Sequence, residues 1–152
     1  MCTSIALLHG GGYFGRNLDL EYSFGEQVVI MPRLFPLHFH RLPSLTRHFS
    51  MIGMANVAEG YPLYAEAVNE KGLCLAGLNF PGNAYYQKPE GQGMELASFE
   101  IIAWILGNYS TVAEVKNDLE KMKIVDIAFS EKMPPAPLHW MLADREQCLV
   151  LE

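Results

Sequence analysis

The 152 residues predict an α+β domain with helices packed on an antiparallel sheet. Three observations carry this: a first half of short apolar runs separated by turn residues, two consecutive segments of helical period in the middle, and a closing hairpin pattern. Strands are expected over 3–8, 13–20, 27–31, 49–55, 63–68 and 73–79. Gly10-Gly11-Gly12 supplies a flexible turn between the first two, and so would return Arg16 alongside the start of the chain. Asn69-Glu70-Lys71-Gly72 is a second hairpin signal, ending in a glycine where a positive φ is required. The segment from Tyr85 to Gly93 is rich in breakers and reads as a loop.

Glu95 to Gly107 carries Leu96, Phe99, Ile102, Ala103 and Leu106 at helical period, which predicts a helix over that range. Thr111-Val112-Ala113-Glu114 has the form of a capping box, followed by Val112, Val115, Leu119 and Met122 as a buried stripe. Pro134-Pro135-Ala136-Pro137 ends the next loop. Leu138 to Ala143 and Gln147 to Leu151 then form the last hairpin, around Asp144-Arg145-Glu146. No internal repeat or interdomain linker interrupts this order, so residues 1–152 are read as a single domain.

Composition narrows the function. Half the residues are hydrophobic, enough for a sizeable core. A formal charge of −6 without a basic stripe argues against nucleic acid, whose phosphates need clustered Lys and Arg. The basic residues His38, His40, Arg41, Arg47 and His48 read as a loop rim. No run reaches the roughly 18 apolar residues of a membrane span, and the start lacks a signal-peptide pattern. A cytoplasmic protein that does not engage membrane is expected. Cys2, Cys74 and Cys148 are an odd number without metal-ligand spacing, so neither a disulfide framework nor a metal or other cofactor is expected. Cys74 and Cys148 lie in apolar strand contexts and are expected to be buried as small hydrophobes.

Cys2, directly behind Met1, is the most informative residue. With Met1 removed, one residue carries both a thiol and a free α-amine. An α-amine titrates at about pKa 7.7–8.0 and a thiol near about 8.5, so the amine can take the thiol proton at neutral pH. That is the chemistry of an N-terminal-nucleophile amidase. Tyr13 to Glu21 forms a second polar cluster, in which strict strand alternation sends Arg16 and Asp19 to opposite faces unless the chain bends between them. By pattern alone the two read as an exposed ion pair at a strand end, and Asn79 as a turn residue before Pro81-Gly82.

Cys2-Thr3, Phe14 to Asp19, Asn69 to Leu73, Ala76 to Gly82 and Leu138 to Met141 occur in the order found in the choloylglycine hydrolases, and the chain resembles that family over its whole length. The resemblance implies an N-terminal-nucleophile hydrolase fold of αββα type, with helices outside two stacked antiparallel sheets. It implies cleavage of the amide between a bile acid and glycine or taurine. Residue by residue, it implies Cys2 as nucleophile, Arg16 steadying the thiolate, Asp19 holding the α-amine, and Asn79 donating to the oxyanion together with a neighbouring backbone N–H. It also implies a longer chain, whose later half carries a second asparagine and a second arginine. The 152 residues are therefore expected to be an N-terminal portion, incomplete at the C-terminus, with uncertain activity alone and a tendency to form homo-oligomers.

A conjugated bile acid needs a broad apolar wall around a few polar donors. Leu18, Ala58, Phe129 and Met133 occupy the family's substrate-lining positions, although Phe129 and Met133 equally suit an anchor for a long loop. Two other functions compete: a penicillin V acylase-like amidase, which the Gly77-to-Gly82 context disfavours, and a catalytically impaired binding or assembly module.

Overall fold

The computed structural model describes every residue except Met1, Leu8, Leu20 and Tyr22. Ten strands and two α-helices follow the chain: β1 Thr3–Leu7, β2 Tyr13–Asn17, β3 Gln27–Met31, β4 Met51–Ala58, β5 Tyr61–Asn69, β6 Cys74–Asn79, β7 Met94–Ala97, α1 Ile101–Asn108, α2 Val112–Asp118, β8 Met122–Val125, β9 Leu138–Ala143 and β10 Cys148–Leu151. The expected ends of the first two strands at Leu8 and Leu20 lie outside the described residues. β4 and β5 run several residues longer than their sequence pattern, because a two-residue turn joins them. Glu59 (φ 52°) and Gly60 (φ 77°) both take the positive φ that suits the twist of flanking strands.

Six strands form one antiparallel sheet in the order β10-β9-β6-β5-β4-β3. One face packs on α1 and α2, through Leu75, Leu142, Trp140, Ile105, Val112 and Val115. The β1–β2 hairpin forms a separate two-stranded sheet stacked on the other face, with β1 against β6. Stacked antiparallel sheets with flanking helices are thus the architecture. Beyond the hairpin, Val28, Ile30, Ile52 and Val150 leave that second face apolar and exposed.

The expected helix from Glu95 begins later. Met94–Ala97 is instead a strand, paired parallel with β8, and a 3-10 turn over Ser98–Glu100 leads into α1. Glu95 is tied to the preceding loop: its carboxylate accepts the N–H groups of Glu90 at 2.6 Å and Gly91 at 2.8 Å, and the Arg41 Nε–H at 3.1 Å. Those bonds hold its carboxyl below the usual range although burial opposes them. The parallel pair is the one departure from an antiparallel protein among the described strands. The capping box at Thr111 forms with a shift. Thr111 Oγ1 accepts the Glu114 N–H at 3.2 Å, while the Glu114 carboxylate reaches back to the Ser110 N–H at 2.7 Å.

The turn at Asn69 joins sheet to helix. Asn69, 4% exposed, donates its Nδ2 to the carbonyls of Leu106 at 2.9 Å and Tyr109 at 2.8 Å, satisfying the C-terminus of α1. Its Oδ1 accepts the N–H of Leu73 at 3.1 Å, and Gly72 (φ 88°) closes the turn. Most of the basic rim is held by partners within the fold. His40 pairs with the buried Glu100, Arg41 with Glu95, and His48 with the carbonyls of Phe35 and Phe49.

Candidate active site

The hairpin register brings the first residues together. β1 and β2 pair Ser4 with Arg16 and Ala6 with Phe14, so these four share the face turned toward the large sheet. Cys2 and Leu18 lie one residue beyond the last pair of the hairpin, Thr3 with Asn17. Asp19 follows Leu18 and is exposed. Pairing in β2 ends at Asn17, so the alternation that would send Arg16 and Asp19 apart stops before Asp19 is reached.

Arg16 reaches down from the hairpin and is the buried anchor of the site. Its side chain is 4% exposed, its Nη2 donates to the Gly77 carbonyl, and its Nη1 lies 3.4 Å from Oε2 of Glu66. It is not the exposed surface pair that strand pattern alone suggests. The hairpin turn, from Gly11 to Phe14, lies over Val68 and Cys74 at the opposite end of β5 and β6. With Arg16 over Glu66 and Gly77, the hairpin therefore runs along β6 with its open end on the Asn79 side.

Asn79 closes β6 opposite Leu138. The N–H of the next residue, Phe80, donates to the Pro137 carbonyl on the β9 side at 2.8 Å. Alternation then directs the Asn79 N–H to the β5 side, where the last β5–β6 pair is Glu66 with Ala76. The same alternation assigns its side chain to the face of Leu75 and Gly77. It is thus the backbone amide of Asn79 that is aimed at the gap beside Arg16.

A β-bulge opens that gap. Met54 pairs with Glu66 and Ala55 with Tyr64, leaving Ala65 as the extra residue of β5. Tyr64 and Ala67 consequently both enter the core, and Glu66 is turned to the hairpin face. Without the bulge Glu66 would share the face of Tyr64 and point among the helices. Glu66 was not anticipated from sequence; its only signal is a carboxylate breaking the apolar alternation of Tyr64-Ala65-Glu66-Ala67-Val68.

The expected substrate-lining residues divide. Leu18 follows the end of β2 and is half-buried. Ala58 pairs with Tyr61 at the tip of the β4–β5 hairpin, at the end of β5 on the open side of the β1–β2 hairpin. The Tyr61 ring is 6.0 Å from that of Phe129, and Phe129 meets Phe99 edge-on at 5.3 Å. Ala58 and Phe129 are therefore brought together around Tyr61, whose hydroxyl is pushed up in pKa chiefly by burial. Met133 is fixed to the same loop, its carbonyl accepting the N–H of Phe129 at 3.1 Å. A hollow of about 740 Å³ lined by Ile101, Ile105, Leu138, Trp140 and Leu151 lies on the helix side of the sheet, away from Cys2.

All three cysteines are free thiols. Two expectations change. Cys74 is only half-buried, its thiol raised in pKa by burial and then by Asp144. Cys148 is exposed, because it opens an edge strand on the face turned from the helices. Neither is a core hydrophobe. Among the described residues no His, Cys, Asp and Glu cluster could hold a metal ion, and no helix is long and apolar enough to cross a membrane.

A cysteine at the second position of a hairpin stacked on an antiparallel sheet, with an arginine buried beneath it and helices behind, defines a hydrolase of the N-terminal-nucleophile fold. Residues 2–152 match the family described as linear amide C–N hydrolases, choloylglycine hydrolase family, and the chain belongs to it. It is 47% identical over all its length to a bile salt hydrolase/transferase of Lactiplantibacillus plantarum, covering 47% of that protein, and 40% identical to one of Clostridium perfringens, covering 45%. The crystal structure of the mutant C2A conjugated bile acid hydrolase from Clostridium perfringens superposes with a TM-score of 0.87 at 36% identity, over 99% of this chain and 50% of that one. Penicillin V acylase from Agrobacterium tumefaciens, 18% identical with a TM-score of 0.72 over 98% of this chain and 48% of that one, shares the fold. The chain spans about half the length of the relatives it matches.

Proposed function

We propose that these residues form the nucleophile-bearing half of a bile salt hydrolase site, acting on the amide between a bile acid and glycine or taurine. The observation that carries the reading is the buried Arg16, held under the hairpin and paired with Ser4, two residues from Cys2. Removal of Met1 frees the α-amine of Cys2, which takes the thiol proton. Arg16 stabilises the thiolate and Asp19 orients the resulting ammonium. The thiolate adds to the amide carbonyl, and the oxyanion is met by the N–H of Asn79. Collapse breaks the C–N bond as the ammonium returns its proton to the departing amine of glycine or taurine. Water then cleaves the thioester, releasing the bile acid and restoring Cys2. Leu18, Ala58, Phe129 and Met133 supply the apolar wall for the steroid, and the chain acts without cofactor.

The test is hydrolysis of glycocholate and taurocholate beside penicillin V, with N-terminal sequencing of the same preparation. Active protein is expected to begin at Cys2, and Cys2→Ser to cut turnover by at least about 100-fold. Cys74→Ser and Cys148→Ser are expected to leave turnover within about twofold. Undiminished activity in protein that uniformly retains Met1 refutes the mechanism, and faster turnover of penicillin V than of either bile salt refutes the substrate.

A further inference from the structure

Arg16 keeps several of its donors unused. Among the described residues its Nε and Nη1 have no hydrogen-bond acceptor, nor has the buried Oε2 of Glu66 a donor. The 3.4 Å approach of Nη1 to Oε2 is an ion pair without hydrogen-bond geometry, between side chains 4% and 27% exposed. A buried guanidinium requires a counter-charge, and a half-buried carboxylate beside it is favoured in its ionised form by the cation. Burial raises the Glu66 carboxyl in pKa and Arg16 opposes that rise. The bulge at Ala65 is what turns Glu66 to this face, so backbone and charge are arranged for the same contact.

We propose that Glu66 is a positioning residue for the nucleophile: as the counter-charge of Arg16, it holds the guanidinium under the hairpin and sets how strongly its field acts on the Cys2 thiol. The inference rests on the reading of Cys2 as a nucleophile served by Arg16. Glu66 and the Cys2 sulfur compete for one cation. With Glu66 ionised, the field at the sulfur is partly cancelled, which keeps the thiolate nucleophilic instead of over-stabilised. Other titratable groups on this side are Cys74 on β6, Cys148 on β10 and His139 on β9, which is stacked on Phe80 at 4.3 Å and lies 3.5 Å from Glu152, with Asp19 following β2. Glu66 is the carboxylate paired with the guanidinium itself.

The experiment follows alkylation of Cys2 by iodoacetamide against pH, in the 152-residue chain with Met1 removed and Cys74 and Cys148 replaced by serine. It needs no bile salt turnover. Glu66→Gln keeps the shape and removes the charge, and is expected to shift the pH–rate profile to lower pH by about one unit, on the order of one charge removed from a partly buried site. Glu66→Asp withdraws the carboxylate by one methylene and is expected to shift it in the same direction by less. In an Arg16→Leu background the profile moves to higher pH, and Glu66→Gln then adds less, because the guanidinium through which Glu66 acts is gone. An unmoved profile with a lowered melting temperature shows a merely structural role and overturns the proposal, as does a shift to higher pH. An equal shift in both backgrounds also overturns it, since Glu66 then acts on the sulfur directly. If Arg16→Leu itself leaves the profile in place, the active-site reading fails first, which is a separate result.

Discussion

Replacing Gly53 with alanine tests the backbone that aims Glu66. Gly53 pairs with Ala67 across β4 and β5, immediately beside the bulge. A Cβ at Gly53 would collide with the Glu66 carbonyl oxygen and come within 2.6 Å of both Cα and Cβ of Ala67. Two effects oppose each other. Alanine removes unfolded-state freedom, worth about 0.4–1 kcal/mol in favour of folding. The collision is with backbone, which cannot swing aside, and overpacking of this kind costs about 1–3 kcal/mol. The steric effect wins, giving a net loss of about 1–2 kcal/mol, or roughly 2–8 °C in melting temperature for a chain of this size. Gly77→Ala is the control, because its Cβ would meet Leu138 and Trp140 at 3.5 Å, an ordinary contact, and little change is expected. Thermal and urea unfolding of both variants measure this, with Cys2 alkylation reporting whether the site has moved. Equal stability of Gly53→Ala and the unsubstituted chain refutes the close approach, and with it the account of how β5 is held at the bulge.

Glu70 accepts from Arg33 Nε at 2.9 Å and from the Ser50 N–H at 2.9 Å, and is depressed in pKa to about 2, first by Arg33. Its folded value lies below the unfolded one, so its stabilisation is complete above about pH 5 and is lost as pH falls toward 2. Urea unfolding of Glu70→Gln against pH is expected to show a deficit at pH 6 that closes by about pH 2; a deficit independent of pH excludes the ion pair as its source. The exposed apolar residues Val28, Ile30, Ile52 and Val150 lead to the expectation that the 152 residues alone self-associate and turn over bile salts more slowly than a version extended into the length its relatives have. Light scattering and turnover of the two together check this, and a monomeric short chain working at the extended chain's rate contradicts it.

Much of the site was legible because it is local. The three glycines and the flanking apolar runs specify the β1–β2 hairpin, and the hairpin alone brings Arg16 back beside the start of the chain. Asn69-Glu70-Lys71-Gly72 was legible as a turn for the same reason, but not the two carbonyls of α1 that Asn69 caps, since those depend on a helix over thirty residues away. The error at Glu95 has a physical cause. Leu96, Phe99, Ile102, Ala103 and Leu106 fit a helical face, yet residues 94–97 find a parallel partner in 122–125, and buried hydrogen bonds to Glu95 outweigh local period. Cys148 was misjudged because an apolar neighbourhood in sequence does not say whether a strand is central or at an edge.

Glu66 was illegible for a more general reason. A carboxylate two residues from a core tyrosine and next to a core alanine is incompatible with an uninterrupted strand, so either the residue or the strand must yield. Here the strand yields: Ala65 is inserted, the parity changes, and Glu66 leaves the core for the face under the hairpin. Beside the bulge the β5–β6 ladder ends at Ala76, and the Gly77 carbonyl accepts from Arg16 instead. One inserted residue thus bears on two features of the candidate site, the face that Glu66 takes and the acceptor that anchors the arginine. Removing Ala65 should therefore disturb the chemistry far more than its small side chain suggests, because it would return Glu66 to the helix side and re-pair the backbone on which Arg16 rests.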